Sequence, residues 1–376
     1  MNILILHGSS DLYGASKMLL VTVDLCRKKG HHPIVVITEN GPLALALEES
    51  GIEVIFIRLG ILRRKYKSFT GIVNRLLVLY KAYYAIKRLV KEKNIELVYS
   101  NTTAVLAGAF VAKKLGIKHI WHIHEIIENP IWLYHFMGRL INKYSDTVIV
   151  VSEAVKKSWG RFVAPKKLQL IYNGIDYSPY LLSSGKLRTE LVITDDIVVI
   201  GMIGRVHYWK GQDYFLHIAA HLSRKYTALR FVMIGDAFPG YEYIYEELAT
   251  IKRTENIEAL VYDLGYRTDV PELLHGFDIL VLPSTLPDPF PTVILEAMAS
   301  GKPVIATHHG GALEMINDQV TGLLIPIHDV EKASLVIEEL IGNKERRIQM
   351  GEAGRKKVLN QYSLEAFENK MIKVLE

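Results

Sequence analysis

The sequence predicts an α/β protein made of two doubly wound parallel-sheet domains facing a cleft, on three observations. At 376 residues the chain exceeds what one hydrophobic core normally supports. Short apolar runs rich in Ile and Val alternate with longer amphipathic segments, the mark of a parallel sheet covered by helices. That alternation stops near Asp176 and starts again at Ile197.

In the first half the runs at 2–7, 33–38, 54–58, 97–100, 119–124 and 147–151 read as strands, each long enough to cross a sheet and too short for a buried helix. Helical stretches at 16–29, 43–50, 70–93 and 105–115 separate them. The run from Ile171 to Asp176 closes this half, and residues 177–195 read as a linker. The second half offers strands at 197–203, 229–234, 260–264, 279–282, 304–306 and 322–325, with helices between them and a last one at 364–376. The domains are expected at 1–178 and 179–361. Open sheets of this kind bind ligands in the loops at strand carboxyl ends, which is where every chemical candidate falls.

Composition narrows the class. A hydrophobic share of 49% with 23% charged residues is that of a folded globular chain rather than a disordered one. A lone cysteine, Cys26, allows no intrachain disulfide and fits a reducing compartment. The opening Met1-Asn-Ile-Leu-Ile-Leu has no basic leader, and no apolar stretch approaches the roughly 18 residues of a membrane span, so a cytoplasmic protein is expected. The net charge of +5 conceals an asymmetry: 25 Lys+Arg against 13 Asp+Glu up to residue 180, and 20 against 27 beyond it. The two halves are expected to have different partners.

The most informative stretch is Asp288-Pro-Phe290-Pro291-Thr292-Val293-Ile-Leu-Glu296-Ala-Met-Ala-Ser-Gly301. Pro291 suits a first helical position, and Gly301 followed by Pro303 is a stop signal. A helix start presents free N–H donors and a partial positive charge, so it attracts phosphate. Asp288 and Glu296 beside it repel phosphate but accept hydrogen bonds from hydroxyl groups. An anion seat flanked by hydroxyl acceptors suits a nucleotide sugar. Upstream, Gly204-Arg205 and Lys210-Gly211 follow a strand and supply two cations for a diphosphate; glycines and strand-end placement favour this over a solvated surface pair.

His124 ends a strand and precedes Glu125, placing an imidazole where it can meet a sugar hydroxyl or a developing charge. Its rival is His122 on the same face, and any one of 14 histidines is more often a satisfied structural residue. His308 and His309, before Gly310-Gly311, are weaker candidates, and no third ligand is spaced to make them a metal site. In the first loop Gly8 and Gly14 allow backbone approach to a ligand and Ser16 can cap the following helix, but the dinucleotide and Walker patterns are missing. Residues 58–93 carry 11 Lys/Arg and one acid among Ile61, Leu62, Phe69, Leu76, Leu77, Leu79, Tyr80, Tyr83, Tyr84 and Ile86. Such a basic amphipathic segment suits an anionic bilayer; no motif that reads nucleic acid accompanies it.

Taken together these residues resemble the family 4 glycosyltransferases, retaining enzymes of the GT-B fold with two Rossmann-like domains. The resemblance is densest from Ile200 to Pro326, through Gly204-Arg205, Lys210-Gly211, Gly235-Asp236, Leu264-Gly265-Tyr-Arg267, Val281-Leu-Pro-Ser284, Glu296-Ala-Met-Ala-Ser-Gly-Lys-Pro-Val304, Gly310-Gly311 and Thr321-Gly322. The first half matches more loosely at Tyr13-Gly14, His124-Glu125 and Asn173-Gly174-Ile175-Asp176.

The resemblance implies an acceptor-binding first domain, a donor-binding second one, and a terminal helix, 362–376, returning to the first. It implies that Arg205 and Lys210 hold the donor diphosphate, that Gly14 touches phosphate, and that Glu296 binds ribose hydroxyls. Asp288 stands where the family has the first glutamate of E-x7-E, His124 matches the histidine near the donor sugar, and Phe290, Pro291, Thr292 and Val293 complete the donor site. Aspartate at 288, prolines at 289 and 291, and the first loop's missing second glycine depart from the family pattern and bear on the choice of sugar.

No metal and no cofactor is expected, the nucleotide sugar being a substrate. The expected reaction is retaining hexosyl transfer, UDP-glucose first and GDP-mannose second, to a glycan or lipid-diphosphate-linked acceptor in surface polysaccharide or glycolipid assembly, on the inner face of the plasma membrane. A GT-B nucleotide-sugar epimerase and a non-catalytic membrane-surface protein are the alternatives, and a dehydrogenase ranks last for want of the dinucleotide loop.

Overall fold

The chain divides into two units, one of residues 1–175 with 364–376 and the other of 176–363. The computed structural model describes residues 1–61, 69–127 and 129–376, without the side chains of residues 69 and 72. Of the basic segment, Leu62, Arg63, Arg64, Lys65 and Lys67 therefore lie outside the described residues.

The first unit is built on seven strands, β1 (Asn2–His7), β2 (His32–Ile37), β3 (Glu53–Phe56), β4 (Leu97–Asn101), β5 (Lys118–Ile123), β6 (Thr147–Val150) and β7 (Leu168–Leu170). All pair in parallel, in the order β3-β2-β1-β4-β5-β6-β7. Ile3, Leu4, Ile5 and Leu6 of β1 are fully buried, which is why the central strand reads as an unbroken apolar run. The edge strand β7 escapes sequence reading because Leu168-Gln169-Leu170 is too short to show a period. The terminal helix Leu364–Leu375 belongs to this unit, burying Phe367, Met371, Val374 and Leu375. Lys118 donates to the Val374 carbonyl at 3.1 Å.

The second unit repeats the plan with β8 (Val198–Ile203), β9 (Leu229–Ile234), β10 (Val261–Asp263), β11 (Ile279–Leu282), β12 (Val304–Thr307) and β13 (Gly322–Ile325), again all parallel, in the order β10-β9-β8-β11-β12-β13. Residues 177–195 are not a linker. They carry short helices at Ser178–Leu181 and Lys186–Glu190, and Tyr177, Tyr180 and Leu187 are buried in the unit. A Cβ on Gly276 would fall 2.5 Å from Leu187 Cβ, so this segment is packed in place.

In both sheets the strand order reverses beside the first strand of the unit, between β1 and β4 and between β8 and β11. Chain connections leave such a point on opposite sides, opening a crevice at the carboxyl ends of those strands. The loops after β1, β4, β8 and β11 are therefore where a ligand is expected, and they carry most of the candidate residues.

Candidate functional site

In the second unit the loop after β8 and the loop after β11 are stitched together through their backbones. Thr285 donates its N–H to the Trp209 carbonyl at 2.9 Å and its hydroxyl to the Tyr208 carbonyl at 3.1 Å. Gly211 sits between them with φ +78°, and a Cβ there would fall 2.1 Å from the Pro283 carbonyl oxygen, so only glycine fits. This clasp fixes Lys210, whose ammonium forms an ion pair with Asp288 and lies 4.2 Å from the Trp209 ring centroid. Both charged side chains are nearly covered, 14% and 11% exposed. Arg205 lies over Phe238, its guanidinium carbon 3.3 Å from the ring centroid, while Gln212 donates to its carbonyl at 2.9 Å.

The Asp288 loop is held from its other side. Gly310 has φ +61°, a Cβ on it would come 2.5 Å from the Asp288 carbonyl oxygen, and the Gly311 N–H donates to that oxygen at 2.7 Å. The helix that follows spans Thr292–Ala299 and has no capping side chain and no acid in its first turn. Pro291 is its N-cap, with ψ 108°, rather than its first helical residue. Thr292 and Val293 are half-buried at the helix start. Phe290 is buried with its ring against Tyr362, centroids 5.5 Å apart, so its side chain is packed away from the helix start.

Glu296 is buried and hydrogen-bonded to the Tyr180 hydroxyl, with Tyr177 close by; burial first and this carboxylate second push the Tyr180 phenol far up. Sequence reading missed Tyr177 and Tyr180 because it placed them in a linker; their i,i+3 spacing in a polar stretch was the available signal. His308 is exposed, while His309 donates through Nε2 to the Ser284 carbonyl at 2.7 Å. Among the described residues, no group of three or more His, Cys, Asp or Glu is placed to hold a metal ion.

In the first unit the register pairs His7 with Asn101 and Asn101 with His122 across adjacent parallel strands. His124 follows β5 directly, so it leaves the sheet at the same end. Its Nε2 lies 2.9 Å from Asn101 Oδ1, and its ring centroid lies 4.0 Å from that of His122. His122 is fully buried with Nδ1 at 2.6 Å from the Tyr99 hydroxyl, and burial pushes its pKa down to about 3. Burial, then His122 and His7, hold the His124 imidazole well below its ordinary range. Burial lowers His7 to about 4. Glu125 accepts from the N–H groups of Thr103 at 3.2 Å and His124 at 3.1 Å, and burial raises it to about 7.

The first loop differs from expectation in one place. Ser16 does not cap the helix: the helix starts at Gly14 with Tyr13 as N-cap, and the Ser16 hydroxyl is buried between His7 and Asp11. A Cβ on Gly8 would fall 2.5 Å from Ile61 Cδ1, whereas one on Gly14 would meet nothing within 4 Å. The basic helix Phe69–Glu92 leaves Val73, Leu76, Leu77, Tyr80 and Tyr84 exposed. No helix among the described residues is long and apolar enough to cross a membrane.

Two parallel-sheet Rossmann-like units, the second with cations and a helix start at its switch point, define a glycosyltransferase architecture of the GT-B class. The model of glycosyl transferases group 1 matches residues 184–357, and that of glycosyltransferase family 4 matches residues 13–178. The chain therefore belongs to the family 4 glycosyltransferases. Among curated relatives, the UDP-Gal:alpha-D-GlcNAc-diphosphoundecaprenol alpha-1,3-galactosyltransferase of Escherichia coli is 23% identical over 306 residues, 76% of either chain. A GDP-mannose-dependent monoacylated alpha-(1-6)-phosphatidylinositol monomannoside mannosyltransferase of Corynebacterium glutamicum is 26% identical over 308 residues, 78% of this chain and 79% of its own. Among solved structures, Anabaena HepE in complex with UDP-glucose superposes with a TM-score of 0.86 at 24% identity, covering 100% of this chain and 99% of that one.

Proposed function

We propose that the chain is a retaining, metal-independent hexosyltransferase that moves glucose from UDP-glucose to a hydroxyl of a lipid-diphosphate-linked glycan, in surface polysaccharide or glycolipid assembly. The observation that carries this reading is the β8/β11 switch point, where the loop after β8 carries Arg205 and Lys210, Lys210 pairs with Asp288 of the loop after β11, and the helix Thr292–Ala299 that holds Glu296 starts uncapped. Breaking the anomeric C–O bond puts negative charge on the departing nucleoside diphosphate. Two fixed cations and the helix amides offset that charge where it develops, the role a metal ion would otherwise play. Asp288 holds the Lys210 ammonium in place and accepts from a hydroxyl of the sugar; Glu296, positioned by Tyr180, accepts from the ribose. No carboxylate is assigned as a covalent nucleophile. The acceptor oxygen attacks from the face the diphosphate leaves, and its proton passes to the departing phosphate oxygen.

UDP as the donor's nucleotide is supported by the galactosyltransferase relative and by HepE. GDP-mannose is the second reading, supported by the mannosyltransferase relative. A panel of UDP, UDP-glucose, GDP and GDP-mannose in thermal shift decides between them. Ligand at about 100 times its Kd adds roughly 2.7 kcal/mol of stability. No shift with any of the four overturns the donor site.

The acceptor's lipid anchor accounts for the basic helix. Leu76, Leu77, Tyr80 and Tyr84 form an exposed apolar strip on a helix that also carries Arg75, Lys81, Lys87, Arg88 and Lys91, a surface suited to the anionic inner face of the plasma membrane. Co-sedimentation with anionic vesicles but not with zwitterionic ones is the expected result; equal binding to both, or to neither, removes the membrane from the reading.

A further inference from the structure

The contacts of Asn101 orient its amide, and the amide orients the protons of its neighbours. Asn101 Nδ2 lies 3.1 Å from the Ala15 carbonyl oxygen and 3.0 Å from His7 Nδ1. A carbonyl has no proton to give, so that end of the side chain is the amide NH2 and the end facing His124 is the amide oxygen. An amide oxygen only accepts, so His124 Nε2, at 2.9 Å, carries a proton. His7 Nδ1 receives an Asn101 N–H and is therefore a lone pair, which puts the proton of a neutral His7 on Nε2, 2.9 Å from Ser16 Oγ. The Ser16 hydroxyl then donates to Asp11 Oδ1 at 3.3 Å. Asp11 anchors the chain, accepting also from Ser9 Oγ at 2.7 Å and Tyr13 N–H at 3.2 Å.

We propose that Asn101 is a positioning residue for sugar transfer: its amide oxygen holds His124 as the neutral tautomer protonated on Nε2, so that Nδ1 accepts a hydrogen bond from a substrate hydroxyl. This rests on the assignment of His124 to the sugar. Among the described residues nothing donates to His124 Nδ1, and the imidazole is half-buried rather than sealed. Neutrality suits the reaction, because the sugar becomes cation-like as the diphosphate leaves and an imidazolium beside it would oppose that charge. The groups around His124 work the same way. His122 stacks on it, His7 shares Asn101 with it, and both are held neutral by burial. Glu125, the nearest carboxylate, is turned to the backbone N–H groups of His124 and Thr103 rather than to the ring, and Asp11 is separated from it by Ser16, His7 and Asn101. An amide at 101 therefore sets the tautomer without adding the charge that would protonate both histidines.

The test pairs a spectrum with a pH profile, both on the full chain. In the 15N spectrum of histidine-labelled protein at pH 7, with the His124 signals identified by their loss in His124→Gln, His124 is expected as a neutral imidazole protonated at Nε2. An imidazolium or an Nδ1-protonated ring overturns the inference, whatever the activity. In Asn101→Asp the carboxylate still accepts from His124 Nε2 but favours the imidazolium. UDP release from UDP-glucose should then fall at least tenfold between pH 8 and pH 6, with a flat profile over that range in the parent. Parallel profiles for the two proteins overturn the inference. Failure of the underlying assignment shows differently: His124→Gln then turns over like the parent, or the parent releases no UDP, while the spectrum still reports the tautomer.

Discussion

The two switch points share a topology and are chemically opposite. At β8/β11 the working groups are charged and held by backbone: Lys210 pairs with Asp288, and Gly211 and Gly310 let one loop's main chain press on another's. At β1/β4 the working groups are neutral and held by side chains, in a line running from Asp11 through Ser16, His7 and Asn101 to His124. Under the proposed reaction, the difference follows from what each end would meet. A departing diphosphate carries concentrated charge and needs fixed countercharge. A sugar carries hydroxyl groups and a transient positive centre, for which oriented neutral acceptors suffice and a cation is unwelcome.

The largest expected effect tests the charged end. Lys210→Ala removes one preorganised cation and leaves the Asp288 carboxylate buried without its partner. Turnover should fall by about 10²–10³, on the order of 3 kcal/mol, as for single donors in comparable transition-state sites. His122→Ala, in the neutral half, removes a fully buried ring bonded to Tyr99 and should lower the melting temperature far more than the turnover of what remains folded. Initial rates of nucleotide release from the donor, normalised to folded protein, separate the two. Equal and small losses in turnover from both substitutions would remove Lys210 from the mechanism.

The same contrast explains what could be read from the sequence. The charged end announces itself, because a clasp made of backbone needs glycines at set positions and cations at strand ends; Gly204-Arg205, Lys210-Gly211 and Gly310-Gly311 are visible as local words. The alternating apolar runs likewise gave all but one of the strands, the exception being β7, whose three residues have no period to show. The neutral end leaves no such trace. His7, Ser16, Asn101 and His124 lie far apart in the chain and meet only because β1, β4 and β5 are neighbours in a particular register. Nothing local marks Asn101, and Ser16, two residues after Gly14, reads as a helix cap when its hydroxyl belongs to His7 and Asp11. The Lys210–Asp288 pair is equally hidden, since it spans β8 to β11 and joins two residues whose local signals differ, a cation at a strand end and a carboxylate before a helix.

The smallest expected effect concerns the one carboxylate in the neutral half that burial has brought near neutrality. Glu125 titrates at about 7 against an ordinary value of 4.5, so between those values the folded state binds a proton that the unfolded state does not. Its contribution to stability is therefore fully present below pH 4.5 and is lost as pH rises through 7. Glutamine keeps the shape of the protonated side chain and cannot ionise. Glu125→Gln should match the parent near pH 4.5 and exceed it at pH 8 by about 1–3 kcal/mol, the upper figure being the full shift at 1.36 kcal/mol per unit and the lower one allowing for partial solvation. The histidines act in the other direction. His7, His122 and His124 have lowered values, so they cost stability as pH falls below their ordinary 6.5, in parent and variant alike. Hydrogen exchange at the amides of β1, β4 and β5, followed from pH 5 to 8 with the intrinsic rate divided out, reads the first unit alone. Because the histidines contribute equally to both proteins, the expected result is a difference: the protection of Glu125→Gln relative to the parent is smallest at pH 5 and grows as pH rises through 7. If that difference is the same at every pH, Glu125 is ionised throughout the range, and the first switch point carries a charge that its histidines must tolerate.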